Sequence, residues 1–182
     1  MNLTTRRTAH RITAAAAVAC AAILVPAIAV AAPRSPAGPA SPAIARECQT
    51  PGLVLWLDTN GSGAAGSIFY HLQFTNLSGH RCTLNGFPFV AAVGLRGDQL
   101  GRRASFGHFA PHAVTLGRGK TANAVLQVVD VGNYPRSACE PVTAAGLRVF
   151  PPNQTRSKVI PFPFGACSRS GPVYLTVRPV RN

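Results

Sequence analysis

Three stretches of this chain repeat their side-chain character with a period of two, and that period points to strands. Ile68, Tyr70, Leu72 and Phe74 alternate with Phe69, His71, Gln73 and Thr75. Ala122, Ala124, Leu126 and Val128 alternate with Asn123, Val125, Gln127 and Val129. Val173, Leu175 and Val177 alternate with Tyr174, Thr176 and Arg178. In each stretch the first-named set is expected to face the core. Shorter strands are expected at residues 53–57, 89–93, 113–116, 147–150 and 158–162. Turn signals separate them: Asn60-Gly61-Ser62-Gly63, Asn76-Leu77-Ser78-Gly79, Arg96-Gly97-Asp98, Gly117-Arg118-Gly119 and Pro151-Pro152-Asn153. After residue 46 no window long enough for a helix carries a helical period. With 17 Gly and 16 Pro the chain is neither a coiled coil nor a helical bundle, and 47% hydrophobic residues is too apolar for disorder. The expected fold is all-β, a two-sheet antiparallel β-sandwich of immunoglobulin-like size with two disulfides. A small barrel is the alternative.

The N-terminus reads as an export signal. Arg6, Arg7 and Arg11 form a positive region, and no charged residue follows from Ile12 to Ala32. Ala29-Val30-Ala31 offers the small residues that a signal peptidase reads. Cutting after Ala31 makes residues 1–31 the signal and avoids leaving Pro33 first. The alternative is a membrane anchor through residues 12–32, a run of about the length that spans a bilayer. Ala17-Val18-Ala19-Cys20 resembles a lipidation box, but the apolar run continues past the cysteine where a polar tether is needed. Residues 32–46 form a Pro/Ala-rich linker, and 47–182 form the folded domain. The expected location is secreted, either extracellular or associated with the cell envelope.

Cysteine usage agrees with that compartment. Cys20 leaves with the signal, and Cys48, Cys82, Cys139 and Cys167 remain. Four cysteines in an exported chain suggest two disulfides, with three pairings open. Cys48–Cys82 and Cys139–Cys167 are favoured, because each closes a loop of about 30 residues that adjacent strands bring together, at about 3–4 kcal/mol apiece. A four-thiolate zinc site is disfavoured, since no Cys-x-x-Cys pair is present.

The stretch Phe74-Thr75-Asn76-Leu77-Ser78-Gly79, followed by Cys82-Thr83-Leu84-Asn85-Gly86-Phe87-Pro88, resembles the secreted actinobacterial family called domain of unknown function 4232. Val114-Thr115-Leu116 before Gly119, Cys139, Leu147-Arg148-Val149 before Pro151-Pro152, Cys167, and Leu175-Thr176-Val177 extend it over most of the domain. The resemblance implies export and a β-sandwich. It implies no activity, so no catalytic residues carry over. Arg outnumbers Lys 16 to 2, which agrees with a high-GC bacterial source.

No residue constellation fixes a chemistry. The carboxylates Glu47, Asp58, Asp98, Asp130 and Glu140 fall at strand ends or in loops, with no sign of an acid–base pair. Gly61-Ser62-Gly63 lacks the spacing of a nucleophile elbow. His108 and His112 are four apart, but Gly107 and Pro111 put them in a loop, and His71 and His80 lie elsewhere. No enzyme activity, cofactor or metal is expected. A hydrolase with an unrecognised site and a histidine-based metal-binding envelope protein are the alternatives.

Charge is the feature with functional weight. The whole chain carries +13; without Arg6, Arg7 and Arg11 it keeps 15 Lys and Arg against 5 acids. Arg96, Arg102 and Arg103 cluster in one predicted loop region, a candidate polyanion site. Nucleic acid is not the expected partner, because no aromatic–basic interleave is present. An anionic envelope polymer or lipid headgroups are better candidates. The chain is expected to be a non-enzymatic, monomeric binding or interaction module of the envelope. The first residue of exported protein is expected to be Ala32, read by N-terminal sequencing or intact mass. A full-length mass marks the anchor instead, and a lipid on Cys20 overturns both.

Overall fold

Residues 121–129 show most directly how this sequence becomes a sheet. Ala122, Ala124, Leu126 and Val128 are all buried, and the residues between them are not. The computed structural model describes residues 46–182, so the expected export signal and nearly all of the expected linker lie outside the described residues. The described chain is all-β, with one short helix. In order the strands are β1 (Arg46–Glu47), β2 (Leu53–Ala64), β3 (Ser67–Asn76), β4 (Cys82–Asn85), β5 (Phe89–Val93), β6 (Gln99–Leu100), β7 (Ser105–Phe106), β8 (Ala113–Leu116) and β9 (Thr121–Val129). Helix α1 (Arg136–Cys139) precedes β10 (Pro141–Phe150), β11 (Lys158–Cys167) and β12 (Leu175–Val177).

The strands form three hydrogen-bonded sheets where two were expected. A five-stranded sheet runs β2-β3-β9-β12-β7, a four-stranded one β11-β10-β5-β6, and a three-stranded one β1-β4-β8. Two pairings, β1 with β4 and β12 with β7, are parallel, against the antiparallel expectation. Both involve two-residue strands, too short to show as a sequence pattern. Buried side chains from all three sheets make one core, including Phe74 and Leu126 from the first, Val90 and Leu147 from the second, and Leu84 and Val114 from the third. Burying each such side chain contributes about 1.5–3 kcal/mol.

The disulfides pair as loop length favours: Cys48 with Cys82, and Cys139 with Cys167. The first fastens β1 beside β4, where the Cys48 amide also donates to the Thr83 carbonyl. The second joins the end of α1 to the end of β11, at the base of the β10–β11 hairpin.

Several strand limits differ from expectation, each for a local reason. Asn60-Gly61-Ser62-Gly63 is not a hairpin turn but lies inside β2, as a bulge between Asp58 and Ser62. There the Asp58 carboxylate accepts from the Asn60 amide and side chain, folding the strand on itself without reversing it. The reversal comes at Ala65-Gly66, both with positive φ, which is what a two-residue hairpin turn demands. Strands β10 and β11 run longer than their predicted cores. Pro161 and Pro163 are tolerated because β11 is an edge strand. Gly146 marks a bulge where a Cβ would meet the Ile160 carbonyl oxygen at 2.4 Å. Ile68, expected inside, is 43% exposed at the open end of the sheet, while Tyr174, assigned outward, is fully buried.

Asn76 closes β3 and is fully buried. Its side-chain NH2 donates to the carbonyls of His80, Leu116 and Gly117, at 2.9, 3.0 and 3.2 Å. Its side-chain oxygen accepts from the Ser78 amide and hydroxyl. Its own amide donates to the Lys120 carbonyl, and its carbonyl accepts from the Gly119 amide. One residue thereby ties the 76–82 turn to the β8–β9 turn. Asn76→Ala is expected to destabilise by about 3–4 kcal/mol, because buried carbonyls lose their donors. Asn76→Asp, which presents oxygen to those carbonyls, is expected to be no better at neutral pH. Urea unfolding midpoints at unchanged m-value check both.

Candidate functional site

The alternation that buries Leu147 and Val149 turns Arg148 and Phe150 to the outer face of the four-stranded sheet. On β5, Val90 and Ala92 point into the core, so Phe89 and Ala91 share that outer face. In register, Arg148 stands beside Ala91, and Phe150 beside Phe89. The small Ala91 leaves a groove of about 470 Å³, edged by Gln99 of β6, Arg103, and the 154–155 loop. No carboxylate lines it. The Arg103 guanidinium lies over the Phe89 ring, 5.0 Å from its centre. Arg148 is half-buried and donates through Nη2 to the Gly97 carbonyl at the tip of the β5–β6 hairpin. Phe106 stacks on Phe87 and tilts against Phe89, which continues an aromatic patch from the groove's edge.

Of the expected cluster, Arg103 lines this groove, whereas Arg96 and Arg102 are exposed outside its lining. Arg96 shares its turn with Asp98, whose carboxylate lies over Gly94. Arg148, which in the sequence is part of a strand and of no charge cluster, supplies the second cation of the groove. Its signal was its place between the inward Leu147 and Val149.

Several of the other candidates have local partners. Asp130 caps a 3₁₀ turn by accepting from the Gly132 amide. Glu47 accepts from Asn153. Glu140 pairs with Arg169 at 2.7 Å, and that hydrogen bond holds its carboxyl below the ordinary carboxylate range. It is the one ion pair among the described residues. His71 contacts Asn123, and His112 lies against the Arg181 guanidinium. Among the described residues no three His, Cys, Asp or Glu side chains gather as a metal site would require. Among them, too, no helix is long and apolar enough to cross a membrane.

Two further surface features stand away from the groove. A depression of about 540 Å³ at the β2–β3 turn is lined by Ile68, Tyr70, Val131 and Phe164. On the outer face of the five-stranded sheet, Trp56 donates to Thr75, which bonds Thr121, and Arg178 stacks on Phe109 at 4.5 Å.

A family model for a domain of unknown function, DUF4232, matches residues 48–181. The chain belongs to the DUF4232 family. The resemblance carried by the Phe74–Gly79 and Cys82–Pro88 stretches therefore holds across the described domain. No curated protein and no solved structure matches the chain.

In this DUF4232 domain the groove rests on a core contact. Tyr174 is buried beneath β6 and donates its hydroxyl to the Leu100 carbonyl at 2.8 Å. Burial raises its pKa well above the ordinary phenol value of 10.0. The fold thus favours the protonated phenol. That contribution is complete below about pH 10, where an unfolded tyrosine stays protonated, and is lost as pH climbs toward the folded value. Stability is therefore expected to fall above about pH 10, and phenolate absorbance to show one tyrosine ionising only with unfolding. Tyr174→Phe should remove that late phenolate and flatten part of the alkaline decline. It should also cost about 1–2 kcal/mol at neutral pH, because the Leu100 carbonyl loses its donor. Alkaline titration followed by absorbance and circular dichroism checks this.

Proposed function

We propose that this chain is an exported, non-enzymatic binding module of a bacterial cell envelope, and that its ligand is an anionic envelope polymer. The fold is read as an immunoglobulin-like sandwich, with the five-stranded sheet on one side of the core and the four-stranded sheet on the other. The reading rests above all on a groove that holds two arginines and no carboxylate. The wider surface agrees with it: 18 Lys and Arg stand against 5 acids in the whole sequence, and the described domain spends one pair of charges on an ion pair. Such a surface attracts polyanions. Two disulfides support an oxidising compartment. The Arg-rich, Lys-poor composition supports an actinobacterial source.

Retention on washed cell walls tests the reading. Binding is expected to weaken steeply between 0.01 M and 0.15 M salt, as the Debye length shrinks from about 30 Å to about 8 Å. Replacing Arg96, Arg102 and Arg103 together by Gln should weaken it further at low salt. Melting should change little, since exposed substitutions cost under about 0.5 kcal/mol each. Wild-type protein that is not retained on walls at low salt rejects the polymer reading.

A further inference from the structure

We infer that the groove on the outer face of the four-stranded sheet is a subsite for one anionic sugar unit, a sugar ring bearing a carboxylate or a phosphate. This rests on the envelope-polymer reading and sharpens it from a charged surface to a shaped site.

The oxyanion half follows from the two guanidiniums. Arg148 stands on the sheet, and its bond to the Gly97 carbonyl fixes one edge of its planar group. Its other N–H groups have no protein partner among the described residues. A half-ordered guanidinium loses less freedom on binding than a free one, and its fork matches carboxylate or phosphate oxygens in pairs. Arg103, propped on Phe89, adds a second cation at the same groove. With no carboxylate in the lining, neither charge is neutralised locally.

The sugar half follows from the rest of the lining. Gln99 spends one N–H on the Gly101 carbonyl, which orients its amide and leaves its oxygen and second N–H for a ligand, while Gln154 bonds Thr50 and Asn153 and keeps one N–H. With the Thr155 hydroxyl, the lining both donates and accepts, as ring hydroxyls require. Phe150, with Phe89 beneath Arg103 beside it, supplies an apolar surface for the flat side of a ring. A volume of about 470 Å³ lies within the range of small-molecule sites. A bare inorganic anion would leave the Thr155 hydroxyl, the remaining amide groups and the aromatic floor unused.

The experiment is a nuclear magnetic resonance titration of the exported protein with glucuronate, glucose 6-phosphate, glucose and inorganic phosphate at matched ionic strength. Either anionic sugar is expected to shift resonances at Gln99, Arg103, Arg148, Gln154 and Thr155, and comparing the two tells carboxylate from phosphate. Glucose should leave them in place, and inorganic phosphate should bind at least several-fold more weakly than the better anionic sugar. Arg148→Gln should weaken that sugar by about 10–100-fold, the scale of a lost charged hydrogen bond. Arg103→Gln, at an exposed position, should weaken it by about 3–10-fold, which keeps the test alive if Arg148→Gln fails to fold. Arg96→Gln with Arg102→Gln should leave it within about twofold. Silence of the groove toward both anionic sugars overturns the inference, as does unchanged affinity in both groove variants. Inorganic phosphate binding as tightly as the sugars overturns the sugar half. Wall retention separates the two levels: retained protein with a silent groove keeps the polymer reading and rejects this subsite, whereas sugar binding without wall retention does the reverse.

Discussion

The side chain of Asn76 is the polar contact on which the arrangement of the strands most depends. A buried amide is costly unless its donors and acceptor are matched. Here the match reaches two separate turns, because the donors meet carbonyls at 80, 116 and 117 while the acceptor takes Ser78. The β8–β9 turn is thereby held against the end of β3, and β9 pairs along nearly the whole of β3. Other side chains would fill the space less well. Leucine would take a donor from the Leu116 and Gly117 carbonyls, and aspartate would set oxygen against oxygen. Cys82 stands six residues on, so its bond to Cys48 fixes the exit of the turn that Asn76 organises. The Asn76–Cys82 stretch carries the family resemblance, and its role in the fold is structural.

The same sequence was legible where one rule decided and opaque where two competed. In β9 a period of two met a pair of neighbouring strands, and every inward residue is buried. Strands β5 and β8 fall at their expected residues, each closed by a turn signal at 96–98 or 117–119. At 60–63 the same residue types signal either a turn or a bulge, and the Asp58 carboxylate decides by capping the Asn60 amide. At Tyr174 the alternation placed a phenol outward. The chain instead buries both Tyr174 and Leu175 in succession, since a carbonyl of β6 lies within reach of the hydroxyl. That contact joins residues 74 apart in sequence, a separation no local pattern reports.

The candidate site was half legible for a related reason. Clustered charge in a loop is visible in one dimension, so Arg96, Arg102 and Arg103 stand out together. In three dimensions a strand between two others juxtaposes what the sequence separates. Arg148 arrives beside Ala91 through the β5–β10 pairing, while Arg96 is carried away to a hairpin tip. Sheet register sorts the charges, and register depends on contacts between distant segments.

Fold and charge are therefore largely decoupled in this domain. The core, Asn76 and two disulfides hold the sheets, and the arginines contribute a single exposed ion pair among the described residues. Exposed pairs add little stability, so most of the cations are free to be selected for something other than folding. The groove is where the two are linked at a candidate site. Its β5–β6 hairpin is clamped from inside by the Tyr174 hydroxyl on the Leu100 carbonyl, and from outside by the Arg148 guanidinium on the Gly97 carbonyl. With the hairpin held on both faces and Arg148 already bonded at one edge, less ordering remains to oppose binding in the groove than at the exposed side chains of Arg96 and Arg102.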